Sequence, residues 1–265
     1  MSDGGRLAGK TAVVVGAGQT PGETVGNGRA TALTFAREGA RVFAVDRDRE
    51  SLDETVAMIR EAGGEVTAHV ASIGPEEVCR RMIEAAHAAL GRIDILHNNV
   101  GIGAGDAGVS SLEERAWDRI MDVNLKAMWL TCKHVLPVMR DQRAGAIVNI
   151  SSIAAIEVPG NLVAYKISKA GVNALTQSLA ASNARFNIRA NAIMPGLMDT
   201  PMAVDAAARA SGRTRDEIAA ARAAVVPLGH QGTAWDVANA ALFLASDESA
   251  FVTGVLLSVD GGQSL

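Results

Sequence analysis

The sequence predicts an α/β protein built on one doubly wound sheet of about seven parallel strands, flanked by helices. The first observation is that short β-branched segments alternate with longer helical patterns almost to the end of the 265-residue chain. Strict alternation of this kind means right-handed crossovers between parallel strands. The second observation is that 48% of the residues are hydrophobic but only 3% are aromatic. A core of Ala, Val, Leu and Ile is typical of parallel sheets covered by helices.

The predicted strands are, in chain order, TAVVVG, ARVFAVD, GEVTAHV, IDILHNN, GAIVNIS, NIRANAIM and GVLLSVD. Helical periodicity predicts helices over 27–38, 48–62, 75–90, 112–139, 163–184 and 233–245. The long irregular stretch 199–226 is rich in alanine and charged residues, which predicts a mobile helical flap over the substrate. No linker or repeat divides the chain, so residues 1–265 are predicted to form a single Rossmann-type domain that binds its ligand at the carboxyl ends of the strands.

Composition limits the class of partner and the compartment. The net charge of −4 and the isoelectric point near 5.8 argue against nucleic acid and anionic membranes as partners. The first ten residues lack the apolar core of a signal peptide, and no run of 18 apolar residues occurs. Cys79 and Cys132 stand in helical-looking stretches, which predicts buried free thiols. These features predict a soluble cytoplasmic protein with no nucleic-acid or membrane partner.

Three other chemistries are disfavoured by the motifs. The segment GGRLAGKT, residues 4–11, fits the pattern of a phosphate-binding P-loop, but it precedes the first strand instead of following one. It therefore predicts only a turn. No G-x-S-x-G elbow of an α/β-hydrolase occurs. The five histidines form no close pair and no H-E-x-x-H motif, so no metal site is predicted.

The first predicted strand is followed by GAGQTPGETVGNGR, which holds five glycines in 14 residues. Helical spacing begins near Gly28, which places Gly16 at the end of the strand and Gly26 at the start of the helix, with Gly18 between them. Glycines there allow a phosphate to approach the N–H groups of a helix N-terminus, because a Cβ would hold it away. The segment predicts a nucleotide cradle, although tight strand–helix turns also use glycine for steric reasons alone.

Asp46 closes the second predicted strand, 18 residues beyond Gly28. A carboxylate at that place accepts hydrogen bonds from both hydroxyls of an adenosine ribose and repels a 2′-phosphate. Arg47 follows directly and would soften that repulsion in part. The alternative is a solvated charge at the end of a strand. The pattern predicts NAD in preference to NADP.

The most informative pair is Tyr165 and Lys169. Tyr165 is the only tyrosine of the chain, and the lysine follows four residues later in a predicted helix, so both side chains share one face. A phenol titrates near pH ~10, and a neighbouring ammonium together with an oxidised nicotinamide would lower that pKa towards working pH. This is what a general acid–base needs. An ordinary surface pair has the same spacing, so the surrounding motifs decide.

Six motifs in one order resemble the short-chain dehydrogenase/reductase family, from about residue 7 to residue 263. Tyr165 and Lys169 resemble its catalytic pair, Ser152 in IVNISS lies thirteen residues before the tyrosine, and Asn124 lies in MDVNLKA. The segment NNVG, residues 98–101, resembles the motif of its fourth strand. PGLMDT, residues 195–200, resembles the loop that holds the nicotinamide carboxamide, and FVTGVLLSVDGG resembles its last strand.

The resemblance implies a role for each of these residues. Tyr165 would exchange the proton of the alcohol, Lys169 would lower the phenol pKa and bind the nicotinamide ribose, and Ser152 would donate to the substrate oxygen. Asn124 would hold a water that relays the proton. The implied cofactor residues are Gly16, Gly18, Gly26, Asn27, Gly28, Asp46, Arg47, Val70, Asn98, Val100, Gly101, Tyr165, Lys169, Pro195, Gly196, Met198 and Thr200. The implied substrate residues are Ser152, Ile153, Ala154, Val158, Tyr165 and Leu197. A homotetramer built through 112–139 and 163–184 is also implied.

The chain departs from the family pattern in its glycine loop and after its third strand. Nine residues separate Gly16 from Gly26 where the family has three, which predicts an insertion of about six residues within 19–24. The inserted residues would either lean over the adenosine ribose, through Glu23, or touch nothing. His69 and Val70 stand where the family often has Asp-Val. Enoyl reductases of the superfamily usually have six residues between tyrosine and lysine; three here favour carbonyl chemistry.

The predicted function is hydride transfer between NAD and a secondary alcohol or ketone that is uncharged and fairly hydrophobic, because the residues expected near it are mostly apolar. Arg213, Arg215 and Arg222 in the flap would either meet an acidic group of the substrate or be solvated helix charges. Two alternatives are an NADP-dependent ketoreductase and a non-catalytic NAD-binding or scaffolding protein on the same fold.

Overall fold

The computed structural model describes residues 5–157 and 161–265, and seven parallel strands form its central sheet. Their order across the sheet is β3-β2-β1-β4-β5-β6-β9. These strands are β1 (Thr11–Val15), β2 (Arg41–Asp46), β3 (Val66–Val70), β4 (Ile95–Asn98), β5 (Gly145–Ile150), β6 (Ile188–Pro195) and β9 (Leu256–Val259). Two short strands, β7 (Met198–Asp199) and β8 (Gly232–Thr233), pair with each other outside it. The predicted doubly wound sheet in a single domain is confirmed.

The helices that cover the sheet are α1 (Asn27–Arg37), α2 (Arg49–Glu61), α3 (Glu76–Leu90), α4 (Glu114–Met121), α5 (Ala127–Gln142), α6 (Val163–Asn183), α7 (Ala206–Ser211), α8 (Arg215–Ala223) and α9 (Ala234–Ala245). The helix predicted over 112–139 is two helices, α4 and α5, joined by a π-helical turn at Asp122–Lys126. The stretch predicted as a flap, 199–226, holds a second π-helical turn at Pro201–Asp205, followed by α7 and α8. We call this stretch the flap.

Alternation along the strands divides the core into two layers. In β1 every residue is buried, with Ala12 and Val14 in the cluster beneath α1, α2 and α9, and Val13 and Val15 in the cluster beneath α3 and α5. Successive side chains of a strand point to opposite faces of the sheet, so a strand buried on both faces must be apolar throughout. The pattern explains why TAVVV contains no charged residue.

Buried polar side chains connect the middle strands of the sheet to α6. Asn98 at the end of β4 donates to Asn149 of β5 at 2.9 Å, and Asn149 donates to Thr176 of α6 at 3.0 Å. Thr131 of α5 donates to the side-chain oxygen of Asn98 at 2.9 Å. All four residues are buried. Since buried polar groups are costly unless they are paired, this network sets the register of α6 on the sheet.

The chain changes direction across the sheet between β1 and β4. From β1 the chain proceeds outwards to β2 and β3, then returns to β4 on the other side of β1. The connections after β1 and β4 therefore diverge and leave a crevice at their carboxyl ends, which is the usual ligand site of such sheets. Among the described residues, no helix combines the length and the apolarity needed to cross a membrane.

Gly28 is the position where α1 approaches the sheet most closely. A Cβ added there would lie 1.7 Å from the main-chain oxygen of Gly16. We expect Gly28→Ala to force the helix away from β1 and to lower the free energy of unfolding by about 3 kcal/mol. Urea unfolding of both proteins measures the difference. Gly108→Ala is the control, since its Cβ would meet no atom closer than 3.6 Å and should change stability by less than about 0.5 kcal/mol.

Candidate active site

The glycine loop, residues 16–28, begins at the end of β1. Gly16 has a φ of +85° and its N–H donates to Val45 of β2 at 2.8 Å. Its main-chain oxygen accepts from the side chain of Asn99 at 3.2 Å. Asn99 was not predicted as a site residue, because the sequence does not show that the segment after β4 reaches this turn. Asn99 therefore connects the glycine loop to the segment that follows β4.

The N-terminus of α1 faces the same crevice. Its N-cap is Gly26, which offers no side chain to the free N–H groups of the first turn. Asn27 follows, and its side-chain oxygen is buried without a hydrogen-bond partner. Uncapped N–H groups at the positive end of a helix dipole form a site for a phosphate. The residues present therefore fit the pyrophosphate of a dinucleotide.

Asp46, at the carboxyl end of β2, is held against the glycine loop. One oxygen of its carboxylate accepts from the N–H of Gly18 at 2.8 Å, and the other accepts from the N–H of Asp48 at 3.0 Å. Arg47 is exposed, and so is Val70 at the end of β3. The structure thus places a fixed negative charge beside the glycines, where the adenosine ribose of a dinucleotide binds.

Four residues predicted as catalytic come together across the crevice. Ser152 follows β5, Tyr165 and Lys169 lie on α6, and Asn124 lies in the π-helical turn between α4 and α5. The Lys169 amine donates to the main-chain oxygen of Ile150 at 2.9 Å and lies 5.7 Å from the centre of the Tyr165 ring. Elements far apart in sequence therefore supply one cluster.

The side chain of Asn124 is fully buried and already bonded. Its oxygen accepts from the N–H of Ile102 at 2.8 Å, and its amide nitrogen donates to the main-chain oxygen of Ile102 at 2.9 Å and to Ser168 at 3.1 Å. Both N–H donors are thus used within the protein. A water at this place would have to donate to Asn124, either to its side-chain oxygen or to its main-chain carbonyl.

Burial changes the pKa of both members of the Tyr–Lys pair. It lowers the pKa of Lys169 to about 8, and it raises the pKa of Tyr165 above the usual value, although a hydrogen bond with Ser152 acts in the other direction. The sequence predicted a lowered phenol pKa. The structure differs because desolvation disfavours the charged form of each group and no opposite charge compensates it.

Two glycines leave room for this cluster. A Cβ on Gly101 would lie 3.1 Å from the Lys169 amine, and one on Gly103 would lie 3.6 Å from the Tyr165 ring. The segment after β4 therefore passes closely beside the amine and the phenol. Val100 borders Gly16 on the other side, since its side chain would be 3.0 Å from a Cβ added to Gly16.

Asp106, in the connection after β4, caps the helix that carries Tyr165. Its carboxylate accepts from the N–H of Tyr165 at 2.7 Å and from the N–H of Ala164 at 3.1 Å. The helix has no side-chain cap of its own at Leu162. The sequence does not reveal this cap, because capping motifs are local, whereas Asp106 and Tyr165 are 59 residues apart.

The remaining predicted residues lie after β5 and at or after the end of β6. Gly196 donates to Val259 of β9 at 2.9 Å, and Thr200 and Met198 are buried after β6, with Pro195 at its end. Ile153 and Ala154 form a 3₁₀ turn directly after Ser152, whose hydroxyl accepts from the N–H of Ala154 at 3.1 Å. Leu197 is half-buried. Val158 lies outside the described residues.

Asn98, which the family resemblance implies as a cofactor residue, uses its side chain within the protein. Its side-chain nitrogen donates to Asn149, and its oxygen accepts from Thr131, so its amide is used inside the sheet. The structural role follows from burial, since an amide at the centre of a core must be paired.

The three arginines of the flap also have protein partners. Arg222 donates to Gln231 at 2.7 Å, and Arg213 donates to the main-chain oxygen of Glu217 at 3.3 Å. Arg215 pairs with Asp199. The interpretation as solvated charges is wrong for Arg215 and Arg222, whose contacts lie partly inside the protein. All three thus have partners within the chain itself.

Comparisons with known proteins agree with this geometry. A family model described as enoyl-(acyl carrier protein) reductase matches residues 23–264. The 3-oxoacyl-(acyl-carrier-protein) reductase FabG of Thermotoga maritima is 39% identical over 257 residues, 97% of this chain and 98% of the relative. The 3beta-hydroxysteroid dehydrogenase 1 of Eggerthella lenta is 39% identical over 262 residues, 98% of this chain and 95% of the relative. The crystal structure of NAD+-bound xylitol dehydrogenase has a TM-score of 0.88 and 32% identity, covering 97% and 99% of the two chains.

The chain belongs to the short-chain dehydrogenase/reductase family, as its motifs predicted. It is therefore an oxidoreductase of a family that binds a nicotinamide cofactor. The relatives are named as a reductase of an oxo group and as dehydrogenases of alcohols.

The pKa of Lys169 predicts a pH-dependent stability. Between pH 8 and about 10.4 the unfolded chain keeps the proton of this amine and the folded protein has lost it, so stability rises with pH. Lys169→Met removes this contribution. We expect the stability of the wild type relative to the variant to rise by up to about 3 kcal/mol across that window. Urea unfolding at pH 7.5 and 10 measures it. A difference independent of pH would mean that the buried amine stays charged.

Asp106 predicts an effect on turnover separate from its effect on stability. Asp106→Ala leaves two N–H groups of the first turn of α6 without acceptors, which should cost about 1–2 kcal/mol of stability. Because one of them belongs to Tyr165, we expect kcat to fall about tenfold while the KM for the cofactor stays within twofold. Asp106→Asn, which keeps one acceptor, should recover part of the loss.

Asp236→Ala is the matched control for this experiment. Asp236 caps α9 by accepting from the N–H of Thr233 at 2.7 Å. Its loss should lower stability by a similar amount and leave kcat unchanged. Equal falls of kcat in the two variants would show that a general loss of stability, and not the position of Tyr165, causes the effect.

Proposed function

We propose that this protein is an NAD-dependent oxidoreductase that transfers a hydride between the nicotinamide and a secondary alcohol or ketone. The observation that carries the proposal is the convergence of Tyr165, Ser152, Lys169 and Asn124 at the carboxyl edge of the sheet. The supporting contacts are the 2.9 Å bond from the Lys169 amine to Ile150 and the 5.7 Å approach of that amine to the Tyr165 ring.

The roles of these side chains follow from their chemistry. In alcohol oxidation Tyr165 accepts the hydroxyl proton, and in ketone reduction it returns that proton to the oxygen. Ser152 donates to the same oxygen as negative charge develops on it. The Lys169 amine lies 5.7 Å from the centre of the Tyr165 ring and would hydrogen-bond the ribose of the cofactor. The oxidised nicotinamide supplies the hydride acceptor and a positive charge that favours the phenolate. Asn124 positions a water that carries the proton towards solvent.

The positions of the carboxylate and the loop support NAD as the cofactor. The carboxylate of Asp46 is held by the N–H groups of Gly18 and Asp48 next to the ribose position. A 2′-phosphate would face this charge at short range, where repulsion is strong. The competing proposal, an NADP-dependent ketoreductase, would use the exposed Arg47 as the phosphate partner.

The lining of the substrate side supports an uncharged, fairly hydrophobic substrate. Ile153 and Met198 are buried, and Ala154 and Leu197 are half-buried beside Ser152. The three flap arginines already have protein partners. A cyclic alcohol of the steroid class fits this lining better than a polyol does, because a polyol requires more polar partners. The flap is proposed to close over this substrate.

We expect assembly as a homotetramer through α4–α5 and α6. Trp129 of α5 is 45% exposed, and it forms an apolar groove with Met121, Leu125 and Leu175. Apolar groups of this size on a helical face are usually covered by another surface.

The test is the appearance of NADH with a panel of steroid, aryl, cyclic and polyol secondary alcohols. We expect turnover with the hydrophobic members, and a loss of about 10³-fold in kcat for Tyr165→Phe, because proton transfer contributes about 10²–10⁴-fold. The dissociation constant of NADH should stay within twofold. Tyr165→Phe with unchanged turnover would contradict the proposal. Cofactor binding without turnover of any member would favour the non-catalytic alternative.

The same panel with NADP tests the cofactor. The wild type should prefer NAD by at least tenfold, and Asp46→Asn should reduce that preference by removing the charge while keeping the size of the side chain. Preference for NADP in the wild type would overturn the role of Asp46.

A further inference from the structure

The middle of the glycine loop is in contact with the flap. The N–H of Glu23 donates to the carboxylate of Asp205 at 3.1 Å, and the hydroxyl of Thr24 donates to Asp199 at 3.5 Å. From the flap, Arg209 donates to the main-chain oxygen of Pro21 at 3.3 Å. The expectation that this loop touches nothing is therefore wrong. It touches the flap, which the sequence could not show because the two segments are about 180 residues apart.

Arg215 is the centre of this contact. Its guanidinium pairs with Asp199, and its Nε lies 3.7 Å from a carboxylate oxygen of Asp205 and 3.7 Å from one of Glu23. Asp199 and Asp205 belong to the flap, whereas Glu23 belongs to the glycine loop. One cation thus joins three carboxylates from the two segments.

The burial and the position of Arg215 indicate that these pairs are needed. Its side chain is 18% exposed, and that of Asp205 is 9% exposed. Arg215 is also the first residue of α8, where the helix dipole opposes a positive charge. A largely buried cation in such a place requires anionic partners, and removing one partner of such a pair is strongly destabilising. The pairs of Arg215 with Asp199 and Asp205 are therefore unlike surface salt bridges, and the pair with Glu23 extends this cluster to an exposed carboxylate of the loop.

Hydrogen bonds connect the middle of the glycine loop, where Glu23 lies, to its end at the N-terminus of α1. The side chain of Gln19 accepts from the N–H of Gly26 at 3.0 Å and donates to the main-chain oxygen of Thr24 at 3.4 Å. Its own N–H donates to Ser51 at 2.8 Å. A Cβ on Gly22 would lie 2.6 Å from the carboxyl carbon of Asp205, so the loop packs closely on the flap. These contacts connect the middle of the loop to its end at Gly26 and to the flap.

We propose that Arg215 is a positioning residue that fastens the glycine loop to the flap and so sets the rate at which the nicotinamide cofactor leaves. The glycine loop is one bank of the crevice, and the segment from Pro195 into the flap is the other. Fastening them closes the crevice over its contents. The inference rests on the proposed binding of NAD at this crevice, and it gives the residues inserted between Gly18 and Gly26 a function.

The first experiment measures the release of NADH by stopped-flow fluorescence in the full-length protein. Arg215→Met keeps the length of the side chain and removes its charge, and we expect NADH to leave about tenfold faster, with a dissociation constant raised by a similar factor. Arg80→Met is the matched control, because Arg80 pairs with Glu77 and Glu84 on the surface of α3, and it should change neither quantity. Release within twofold of the wild type in a folded Arg215→Met protein overturns the proposal.

A second variant covers the case in which Arg215→Met does not fold. Glu23→Lys reverses the charge on a side chain that is 77% exposed, so folding is retained while the loop repels Arg215. It too should release NADH about tenfold faster. An unchanged rate in this variant would equally overturn the proposal.

Limited trypsin digestion of the cofactor-free protein separates this inference from the proposed function. If Arg215 fastens the flap, cleavage after Arg209 and Arg213 should be several-fold faster in Arg215→Met than in the wild type and unchanged in Arg80→Met. If Arg215→Met is cleaved faster but the protein binds no NADH, the proposed cofactor is refuted, whereas the attachment of the flap to the loop by Arg215 is supported. Faster NADH release without turnover would refute the reaction alone. Equal cleavage rates would refute the fastening itself.

Discussion

The close contact between α1 and the end of β1 is the constraint on which the site depends. Gly16 and Gly28 lack side chains, so the first turn of the helix lies directly against the strand. This brings uncapped N–H groups to the carboxyl edge of the sheet, beside the point where the strand order reverses. The same contact fixes the two ends of the glycine loop, at Gly16 and Gly26, and so limits the positions that the loop can take. A phosphate site, a carboxylate beside it and the start of the loop all follow from this one contact.

A second constraint places the reacting groups opposite that cradle. The hydrogen bonds from Asn98 through Asn149 to Thr176 fix α6 on the sheet, and Asp106 fixes its first turn. Burial of Tyr165 and Lys169 is the consequence, and burial shifts both pKa values towards the neutral form. Of the two, the Lys169 amine, with a pKa of about 8, still carries its proton at neutral pH, whereas the raised pKa of Tyr165 keeps the phenol neutral.

Local patterns were sufficient for the sheet and for the catalytic motif. Alternation of β-branched and helical segments predicted the seven strands, and the spacing of Tyr165 and Lys169 placed both on one helical face. Long-range contacts were beyond these patterns. Asn99 at the glycine loop, Asp106 at the start of α6 and Arg215 between loop and flap each act on residues far away in the sequence. No local propensity records such a partner, and the same limit applied to the side-chain amide of Asn98, whose pairing with Asn149 and Thr131 comes from the tertiary structure.

The sequence by itself determined the class of fold and the family, and it singled out the pair proposed to exchange the proton, because periodicity and short motifs are properties of neighbouring residues. The tertiary structure decided how those groups titrate and what the long glycine loop contacts. Both depend on burial and on charges brought together from distant segments. The pairing of Arg215 with Glu23 exists only because the flap and the loop meet across the crevice. A contact between segments so far apart in the sequence is not evident from local sequence patterns.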